Sequence, residues 1–563
     1  MTNKNGVVRF IALFCAVGVL TGCVETPPAP SATATPVATP TVAVATATAT
    51  PEATATAIPL PTQPPKPTLT PDVRPAIDSP AWFNEATLYQ IFPRSFYDSD
   101  DNGIGDLNGI REKLDYVQSL GADTIWLNPH YPSATYHGYD VVDYTDVNPD
   151  FGTLADFKAL LVEMKKRNMK LIVDFVANHS SDTHPFFKDA FKNPASKYTS
   201  WYRFKDDKNE TYESFFGISN LPEWNHENSD VNRYLIDSVL FWLGLGVDGI
   251  RCDYALGIVA DVWKQLRDEV KAKHPDAVIL GEVFDSRPSM LKQKFEQGFD
   301  ALFDFPWYFT LAGGPEDVGK GALNGRAPAE FIADTYTYQQ LFYPRGAQMV
   351  RFPSNHDTNR IASSVDGDAR KMRLAAAVSI LTPGIPIVYY GEEIGMRGIK
   401  GTGPIYDEFR REPMDWYASE TGTGMTTWFK PNDRNNKPND GISTQEEESN
   451  TGSLLKTYRA LTAVRNQHPA LRGGSSQFQV MGKDEITGCE ACLGVWRWSD
   501  TGDEVIALFF NFGDAEHTIG FNAPKSSPMP LPGNSSFIYG QSSSTAGLVI
   551  EPWGTIALRW AGK

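Results

Sequence analysis

Eight short apolar runs that alternate with amphipathic helical stretches predict an α/β fold, a (β/α)8 TIM barrel. Four of these runs end in an acidic residue, as expected where buried parallel strands emerge at a reactive face. After Leu471 the chain changes to strand-like runs such as GVWRWS, EVIALFFNF and GTIALRW. These runs predict a C-terminal antiparallel β-sandwich domain whose role is to brace the barrel.

The eight candidate barrel strands are apolar and rich in β-branched or aromatic residues. In chain order they are LYQIFPRSF, DTIWLNPH, KLIVDFVANH, DGIRCD, AVILGEVF, DALFDF, MVRFPSNHD and IPIVYYGEE. Between the strands, apolar residues recur at helical spacing, so each stretch is predicted to cover the barrel with one apolar face. In the first two stretches these residues are Ile110, Leu114, Val117 and Leu120, and Leu154, Phe157, Leu161 and Met164.

Four carboxylates at the ends of these runs are candidates for catalysis. Asp174, Asp253, Glu282 and Asp357 each follow an apolar stretch. Because the carboxyl ends of barrel strands meet at one face, we expect the four side chains to lie close together. Arg251 precedes Asp253 by two residues, so both side chains leave the strand on the same face, where the guanidinium can orient the carboxylate. The sequence therefore predicts a carboxylate-driven active site.

Length and composition agree with a large enzyme of two or three domains. The chain has 563 residues, of which 41% are hydrophobic, enough for a sizeable core. Its formal net charge of −17 argues against nucleic acid as a partner and favours solubility. We expect a monomer that does not bind nucleic acid.

The N-terminus carries a targeting signal. Lys4 and Arg9 precede an apolar run from Phe10 to Leu20 that is too short to span a bilayer. The run is followed by Thr21, Gly22 and Cys23, which resembles a bacterial lipoprotein signal of residues 1–22 with lipidation of Cys23. An ordinary signal peptide with an incidental cysteine is the alternative. The lipoprotein interpretation predicts a cell-surface or extracellular protein anchored to a membrane.

A nearly uncharged segment follows Cys23. Thr, Ala and Pro dominate up to about Pro80, so this stretch cannot bury a core and is predicted to be an extended stalk. The predicted domains are the signal peptide 1–22, the stalk 23–80, the barrel 81–471 and the C-terminal domain 472–563.

The four acid-bearing runs resemble the four motifs of the α-amylase superfamily of glycoside hydrolases, family 13, in the correct order. These motifs are DFVANH, GVDGIRCD, GEVF and FPSNHD. The likeness extends to YHGYD, LPEWNHEN, TPGIPIVYYGEE and REPMDW, and it spans about Trp82 to Leu471. The resemblance implies that the long segment at about 180–230 is the inserted B domain of the family.

The resemblance also implies roles for the acids. Asp253 corresponds to the nucleophile and Glu282 to the general acid/base of a retaining hydrolase. Asp357 is expected to bind sugar hydroxyls and to favour the distorted ring of the transition state, and Asp174 to position Arg251. We expect Asp253 to be ionised beside Arg251, and Glu282 to be partly protonated because of burial and neighbouring negative charge.

Further residues of the motifs are predicted to bind substrate. Three imidazoles are expected to donate hydrogen bonds to the sugar, and they belong to His137, His179 and His356. Tyr139 is expected to stack on the sugar face. Most B-domain aromatics, among them Trp201, Tyr202, Phe215 and Phe216, are expected to be core, whereas Trp224 in LPEWN is predicted to line a sugar subsite.

The loop DSDDNGIGDL offers oxygen ligands for Ca²⁺. They come from Asp98, Asp100, Asn102, the carbonyl of Ile104, and Asp106. The loop is not an EF-hand, because Gly109 stands where the bidentate glutamate belongs. It resembles the calcium loop after the first barrel strand of oligo-1,6-glucosidase-like members, which implies a structural calcium. Many secreted α-amylases carry His or Lys four residues after the nucleophile; here Gly257 stands there, so a second, interdomain calcium site at Asn178 is left open.

Cysteine use is sparse. Cys489 and Cys492 form a CxxC pair with no further zinc ligands nearby, so a local disulfide is expected in an oxidising compartment. Cys252 is expected in the core.

Four functions remain open. An endo-acting α-amylase that cleaves α-1,4-glucan is favoured by Tyr136 and His137, where oligo-1,6-glucosidases usually have Asp-Asn. A neopullulanase or oligo-1,6-glucosidase-like maltodextrin hydrolase is favoured by LPEWN and REPMDW, and a subfamily with features of both fits best. A transglycosylase or isomerase such as trehalose synthase is the third. A non-catalytic glucan-binding lipoprotein is the fourth, and the intact Asp253, Glu282 and Asp357 argue against it.

Overall fold

The computed structural model describes residues 74–314, 320–403, 405–429, 434–472, 478–482, 485–521, 535–542 and 548–561. The predicted signal peptide, Cys23 and the stalk up to residue 73 lie outside these ranges. Within them, none of the helices has the length and apolar character needed to cross a bilayer.

Eight parallel strands close into a barrel in chain order, which confirms the predicted fold. The strands are β1 (Leu88–Ile91), β2 (Thr124–Leu127), β3 (Lys170–Phe175), β4 (Gly249–Cys252), β5 (Val278–Gly281), β6 (Ala301–Phe303), β7 (Gln348–Arg351) and β8 (Ile385–Tyr389). The barrel closes where β1 pairs with β8, with Leu88 opposite Ile387. Seven of the eight strands are buried along their whole length, which is why they appear in the sequence as continuous apolar runs.

Sixteen α-helices are present in the described part of the chain. They are α1 (Ala81–Asn84), α2 (Pro93–Phe96), α3 (Leu107–Glu112), α4 (Leu114–Ser119), α5 (Leu154–Lys166), α6 (Pro185–Ala190), α7 (Ser229–Leu245), α8 (Ala260–Lys273), α9 (Pro288–Phe295), α10 (Phe305–Ala312), α11 (Glu330–Phe342), α12 (Ile361–Ser364), α13 (Ala369–Leu381), α14 (Thr444–Ser449), α15 (Leu454–Gln467) and α16 (Pro469–Arg472).

Local sequence explains where the main barrel helices begin and end. Helix α5 begins at a capping box in which Thr153 and Asp156 satisfy each other's backbone amides. Helix α7 begins at Asn228, whose side chain accepts from the backbone of Asp230, and ends at Gly246 with a φ of 109°. The predicted first helix is divided into α3 and α4 at Lys113, although its four predicted apolar residues are all buried.

Residues 74–80 pack under the N-terminal ends of the barrel strands. The Ile77 amide donates to the carbonyl of Arg345, just before β7, at 2.7 Å. The hydroxyl of Ser79 donates to the carbonyl of Asp300, just before β6, at 3.1 Å. The stalk boundary predicted at residue 80 is therefore too late, because this segment already makes specific hydrogen bonds to the barrel.

The B domain lies between β3 and α7, in agreement with the predicted insertion. It contains α6 and isolated antiparallel bridges, such as Tyr202 with Trp224 and Phe204 with Tyr212. Its core is aromatic, and the rings of Tyr202 and Trp224 stack at 4.6 Å.

The C-terminal domain consists of two antiparallel sheets, as predicted. Their strands are β9 (Phe478–Val480), β10 (Ile486–Thr487), β11 (Cys492–Trp498), β12 (Glu504–Asn511), β13 (His517–Phe521), β14 (Ser536–Tyr539), β15 (Leu548–Ile550) and β16 (Thr555–Ala561). Buried Arg497 on β11 donates to the carbonyl of Leu381 at the end of α13, so the domain braces the barrel. Cys489 and Cys492 form the expected disulfide, and Cys252 is buried in β4.

Candidate active site

The barrel register brings the predicted catalytic residues together. Asp174 on β3 is the direct partner of Arg251 on β4. Cys252 pairs in the same way with Gly281 on β5, so the residues that follow them, Asp253 and Glu282, emerge side by side. The backbone continues this register, because the Glu282 amide donates to the carbonyl of Cys252 at 3.0 Å.

Arg251 is the centre of the site, and its guanidinium contacts three carboxylates. Its Nη1 lies 2.6 Å from Oδ1 of Asp174 and 2.8 Å from Oδ1 of Asp253, while Nη2 lies 2.8 Å from Oε1 of Glu282. Arg251 and Asp174 are fully enclosed, whereas about a tenth of each of the other two carboxylates is exposed. The expected role of Asp174 as the residue that positions Arg251 agrees with this geometry.

Burial controls the protonation of the two central acids. It raises the pKa of Asp253 to about 7 and that of Glu282 to about 7, against the opposing charge of Arg251. Asp357 adds negative charge that raises both values further. The sequence predicts an ionised Asp253 and a partly protonated Glu282; the structure differs for Asp253, whose pKa is raised because burial outweighs the charge of Arg251. The raised pKa values leave each acid partly protonated at neutral pH.

Asp357 has a different environment, although it faces the same site. Its Oδ1 lies 2.9 Å from Nη2 of Arg411, and its Oδ2 lies 3.0 Å from Nε2 of His356. Burial opposes ionisation, but His356, Arg411 and Arg251 together hold the pKa of Asp357 below its usual value. Burial also lowers the pKa of His356 to about 4, so at neutral pH His356 is a neutral donor and Arg411 supplies the adjacent charge. Asp357 is therefore ionised, as its predicted role in binding hydroxyls requires.

A chain of hydrogen bonds fixes the tautomer of His356. It starts at the carboxylate of Asp174, which can only accept and takes a hydrogen bond from Nδ2 of Asn128 at 3.4 Å. The Oδ1 of Asn128 accepts from Nε2 of Gln90 at 2.9 Å, and the same Gln90 nitrogen donates to Nδ1 of His356 at 2.8 Å. The proton of His356 is therefore on Nε2, which faces Asp357.

The other predicted sugar-binding groups line the same opening. The ring of Tyr139 is half-buried and stacks on His356 at 5.6 Å. Nδ1 of His137 accepts from the Tyr139 amide at 3.0 Å, which leaves Nε2 as its donor. His179 is buried, and its ring nitrogens have no hydrogen-bond partner among the described residues. Burial lowers the pKa of His179 to about 3, so its imidazole is neutral at pH 7.

The prediction that Trp224 lines a sugar subsite is wrong. Its side chain is 1% exposed, its ring stacks on Tyr202, and its indole N–H donates to the hydroxyl of Tyr144 at 3.2 Å. The ring and its indole N–H therefore both contact protein groups within the B-domain core, and neither is available to a sugar. The motif LPEWN marked a packing residue because sequence does not show which way a tryptophan points.

The acidic loop after β1 brings three predicted metal ligands together. One carboxylate oxygen each from Asp98, Asp100 and Asp106 lies within 4.8 Å of the others. Oδ1 of Asn102 accepts from the Ile104 amide at 2.8 Å, which curves the loop around this cluster. An all-oxygen set of this kind suits a hard cation such as Ca²⁺.

Sequence reasoning missed two residues that the structure brings to the site, Arg411 and Gln90. Arg411 opens the segment REPMDW, which was recognised as a family feature without a role. Gln90 is a polar residue inside the buried apolar strand β1, and that contrast is the signal that could have identified it.

Comparisons with known proteins agree with this geometry. Residues 90–474 match the family model described as alpha amylase, catalytic domain. Among curated relatives, "Alpha-amylase 3" of Dictyoglomus thermophilum is 32% identical over 461 residues, covering 78% of this chain and 87% of that protein. The oligo-1,6-glucosidase of Parageobacillus thermoglucosidasius is 30% identical, covering 79% of this chain and 92% of its own length.

A solved structure shows the same architecture. The α-amylase from H. orenii superposes with a TM-score of 0.71 at 30% sequence identity, covering 85% of this chain and 99% of that one. The similarity therefore includes the barrel together with the domains attached to it.

Proposed function

The chain belongs to the α-amylase family of glycoside hydrolases, family 13, and from that premise we propose that it cleaves internal α-1,4-glucosidic bonds of starch and maltodextrins with retention. The observation that carries this proposal is the arrangement around Arg251, whose guanidinium contacts both Asp253 and Glu282, each with about a tenth of its side chain exposed. Double displacement at an anomeric carbon needs one carboxylate and one carboxylic acid in that relation.

Each group then has a defined step. Glu282 gives its proton to the glycosidic oxygen while the carboxylate of Asp253 bonds to the anomeric carbon and the bond to the leaving group breaks. In the second step Glu282 takes a proton from water, whose oxygen bonds to the anomeric carbon as the bond to Asp253 breaks. Two inversions leave the product in the α configuration. Ionised Asp357 holds the sugar hydroxyls during both steps, and the buried imidazole of His356 keeps that carboxylate in place through Nε2.

Preference for internal α-1,4 bonds is supported by the YHGYD segment. Tyr136 stacks on Trp428 at 5.5 Å and lies over the guanidinium of Arg411 at 5.8 Å. Tyr136 and His137 stand where oligo-1,6-glucosidases usually have Asp-Asn, which favours an α-1,4-acting enzyme.

A maltodextrin hydrolase of the neopullulanase or oligo-1,6-glucosidase type is the second candidate. Arg411 of the REPMDW segment contacts Asp357 directly, so a segment similar to that of oligosaccharide-acting members belongs to the site. The 30% identity to an oligo-1,6-glucosidase supports the same alternative.

Product analysis distinguishes these activities. We expect maltose and longer maltodextrins from starch, little product from isomaltose, and first appearance of the α-anomer by NMR. Panose from pullulan, or glucose from isomaltose, would favour the second candidate. Trehalose from maltose alone would identify an isomerase, and a β-anomer would exclude the retaining mechanism.

We also propose a structural Ca²⁺ in the loop of Asp98, Asp100 and Asp106. Support comes from three carboxylates that offer oxygens within 4.8 Å of one another. The side-chain oxygen of Asn102 and the backbone carbonyl of Ile104 are the further ligands expected from the sequence. The ion would tie the loop after β1 to the start of α3, because Asp106 also accepts from the Gly109 amide at the beginning of that helix.

We propose, finally, that a lipid on Cys23 anchors the monomeric enzyme to a membrane at the cell surface. The support is the sequence alone: a basic start, a short apolar run and a cysteine, followed by an uncharged segment. Fractionation of a bacterial host checks this, with the wild type expected in membranes and Cys23→Ala expected as released enzyme or as unprocessed precursor. A fully soluble wild type whose mature N-terminus lies beyond Cys23 would refute the anchor.

A further inference from the structure

Helix α11, on the outside of the barrel, has a second row of large residues besides the side that it buries. The buried side consists of Ile332, Tyr336 and Gln339. A second row at helical spacing lies on a different side of the helix, and its members are Phe331, Thr335, Tyr338 and Phe342. A surface helix normally has one apolar face and one polar face, so this second row needs an explanation. We call it the α11 stripe.

The α11 stripe is open to solvent. Phe331 is 49% exposed and Phe342 is 48% exposed, and Leu341 beside them is 59% exposed. The rings of Tyr338 and Phe342 lie 4.6 Å apart, so this end of the stripe is one continuous aromatic surface. Within the described ranges, no other α-helix has more than one large apolar residue that is exposed. An exposed apolar surface of this kind is typical of a binding surface.

The chain enters the described structure at one end of this stripe. Nη1 of Arg74 donates to the carbonyl of Tyr343 at 2.9 Å and to that of Gln339 at 3.3 Å. The Arg345 amide donates to the carbonyl of Pro75 at 2.8 Å, which fixes the backbone next to Arg74. The residues directly before Arg74 therefore reach the barrel at the C-terminal end of α11, where Phe342 is the last helical residue.

The segment that precedes Arg74 differs in composition from the rest of the predicted stalk. Between Cys23 and Arg74, every leucine and isoleucine falls within residues 58–73, and these residues are Ile58, Leu60 and Leu69. The same segment, IPLPTQPPKPTLTPDV, contains six prolines. Proline-rich sequences favour the polyproline II conformation, which docks on aromatic surfaces at a low cost in conformational entropy. The part of the stalk nearest the barrel thus has the composition that an aromatic stripe can bind.

The dimensions of the stripe and of the segment agree. At a rise of about 1.5 Å per residue, the α11 stripe is about 17 Å long from Phe331 to Phe342. Polyproline II advances about 3.1 Å per residue, so about six residues cover this length. Counted back from Arg74, these are residues 68–73, which include the apolar side chains of Leu69 and Val73.

We propose that the α11 stripe is the docking surface for residues 58–73 of this chain, with Val73 against Phe342 and Leu69 toward Phe331. Helix α11 connects β6 to β7, so it runs from the catalytic face back to the face under which residues 74–80 pack. A docked segment therefore follows the side of the barrel toward the catalytic face. The stalk then leaves the barrel at its side, which fixes the orientation of the active site relative to the stalk.

Resistance of the segment to thermolysin tests the proposal, because this protease cleaves before accessible leucine residues. The full chain is digested under native conditions, and cleavage before Leu69 is followed by mass spectrometry. When docking is fast relative to cleavage, the rate of cleavage measures the undocked fraction. We expect Tyr338→Ser and Phe342→Ser each to accelerate this cleavage by about 3- to 10-fold, because each removes one aromatic contact. The double variant should exceed both.

A matched control removes an exposed apolar side chain from another barrel helix. Val162 on α5 is 54% exposed, and Val162→Ser should leave the rate of cleavage before Leu69 unchanged. Melting temperatures and kcat on starch should stay close to those of the wild type in all of these variants, because the stripe lies outside the active site. These two measurements separate the loss of docking from a loss of folding.

Equal rates of cleavage in the wild type and in the folded double variant would overturn the proposal. Two other occupants would then have their own signatures. A second copy of the chain would appear by light scattering as a dimer that Phe342→Ser dissociates. A glucan would retard the wild type in a starch-containing gel, and Phe342→Ser would remove that retardation. Either signature with unchanged cleavage would assign the stripe to that ligand and overturn docking of residues 58–73.

Discussion

Two pairs of buried carboxyl groups at the ends of barrel strands differ in the groups that contact them. Asp253 and Glu282 follow β4 and β5 and both contact the guanidinium of Arg251. Glu392 and Glu393 follow β8 and are 2% and 0% exposed, and no described arginine or lysine forms a salt bridge with them. The residue type and the position at a strand end are the same, but the partners differ.

Hydroxyl groups surround the second pair. They donate to both carboxyls and belong to Ser354 and Tyr458 at Glu392, and to Tyr89 and Tyr116 at Glu393. Burial raises the pKa of Glu392 to about 8, and it also raises the pKa of Glu393. Glu392 is therefore largely neutral at pH 7 and holds β8 against α15. The first pair combines a cation with partly exposed carboxyl groups, whereas the second pair is enclosed among hydroxyl groups.

The largest effect expected from this comparison is on turnover. Asp253→Asn and Glu282→Gln should each lower kcat on starch by on the order of a thousandfold or more, because each removes a group essential to one displacement. Glu392→Gln should stay within about twofold of the wild type, since an amide replaces a neutral acid. Steady-state kinetics with melting temperatures check all three, and a strong loss of kcat in folded Glu392→Gln would break the distinction between the pairs.

The second effect concerns the charge beside Asp357. Arg411→Gln removes the cation 2.9 Å from this carboxylate, and a hydrogen bond to a charged group contributes about 1.5–3 kcal/mol. We expect kcat/KM on maltopentaose to fall about 10- to 100-fold. Arg370→Gln is the control, because it removes an exposed ion pair with Asp368 at the start of α13. Equal behaviour of the two variants would show that Arg411 has no part in the site.

Calcium removal should have a smaller effect, on stability. A ligand that binds only the folded state stabilises it by about 2.7 kcal/mol at a concentration one hundred times its Kd. We therefore expect a chelator to lower the melting temperature and added calcium to restore it. Asp100→Ala should abolish this response and is the variant of choice, because the backbone hydrogen bond that Asp100 accepts is 3.3 Å long, whereas Asp98 and Asp106 accept bonds of 2.6 Å and 2.8 Å that shape the loop. A calcium response that persists in this variant would place the ion elsewhere.

The smallest expected effects are on pH dependence, and they differ between the two pairs. The active state needs a proton on Glu282, whose pKa is raised to about 7, so kcat/KM should fall as the pH rises above about 7.

For Glu392 the readout is stability, because the folded state binds a proton up to about pH 8 that the unfolded chain releases near its usual pKa of about 4.3. The free energy of unfolding should therefore decrease as the pH rises from about 5 to 8, and Glu392→Gln should flatten that slope. Denaturant titrations at several pH values measure it, and an unchanged slope in the variant would assign the proton to another group.

Much of the site could be predicted from sequence because its acids are local features. Asp174, Asp253, Glu282 and Asp357 each end a recognisable apolar run, and the strand period alone places Arg251 beside Asp253. The barrel could be predicted for the same reason, because the spacing of apolar residues that identifies each strand or helix is visible within a few residues.

Contacts between distant parts of the chain were decided only by the tertiary structure. Gln90 and His356 are 266 residues apart, and Arg411 and Asp357 are 54 apart, so no local pattern joins them. The direction of a side chain is also a tertiary property, which is why Trp224 is core while Phe216 is exposed. The sequence by itself determined which acids are present at the strand ends. Packing determined which of them have a raised pKa, because burial and neighbouring charge set a pKa and neither is visible in one segment of sequence.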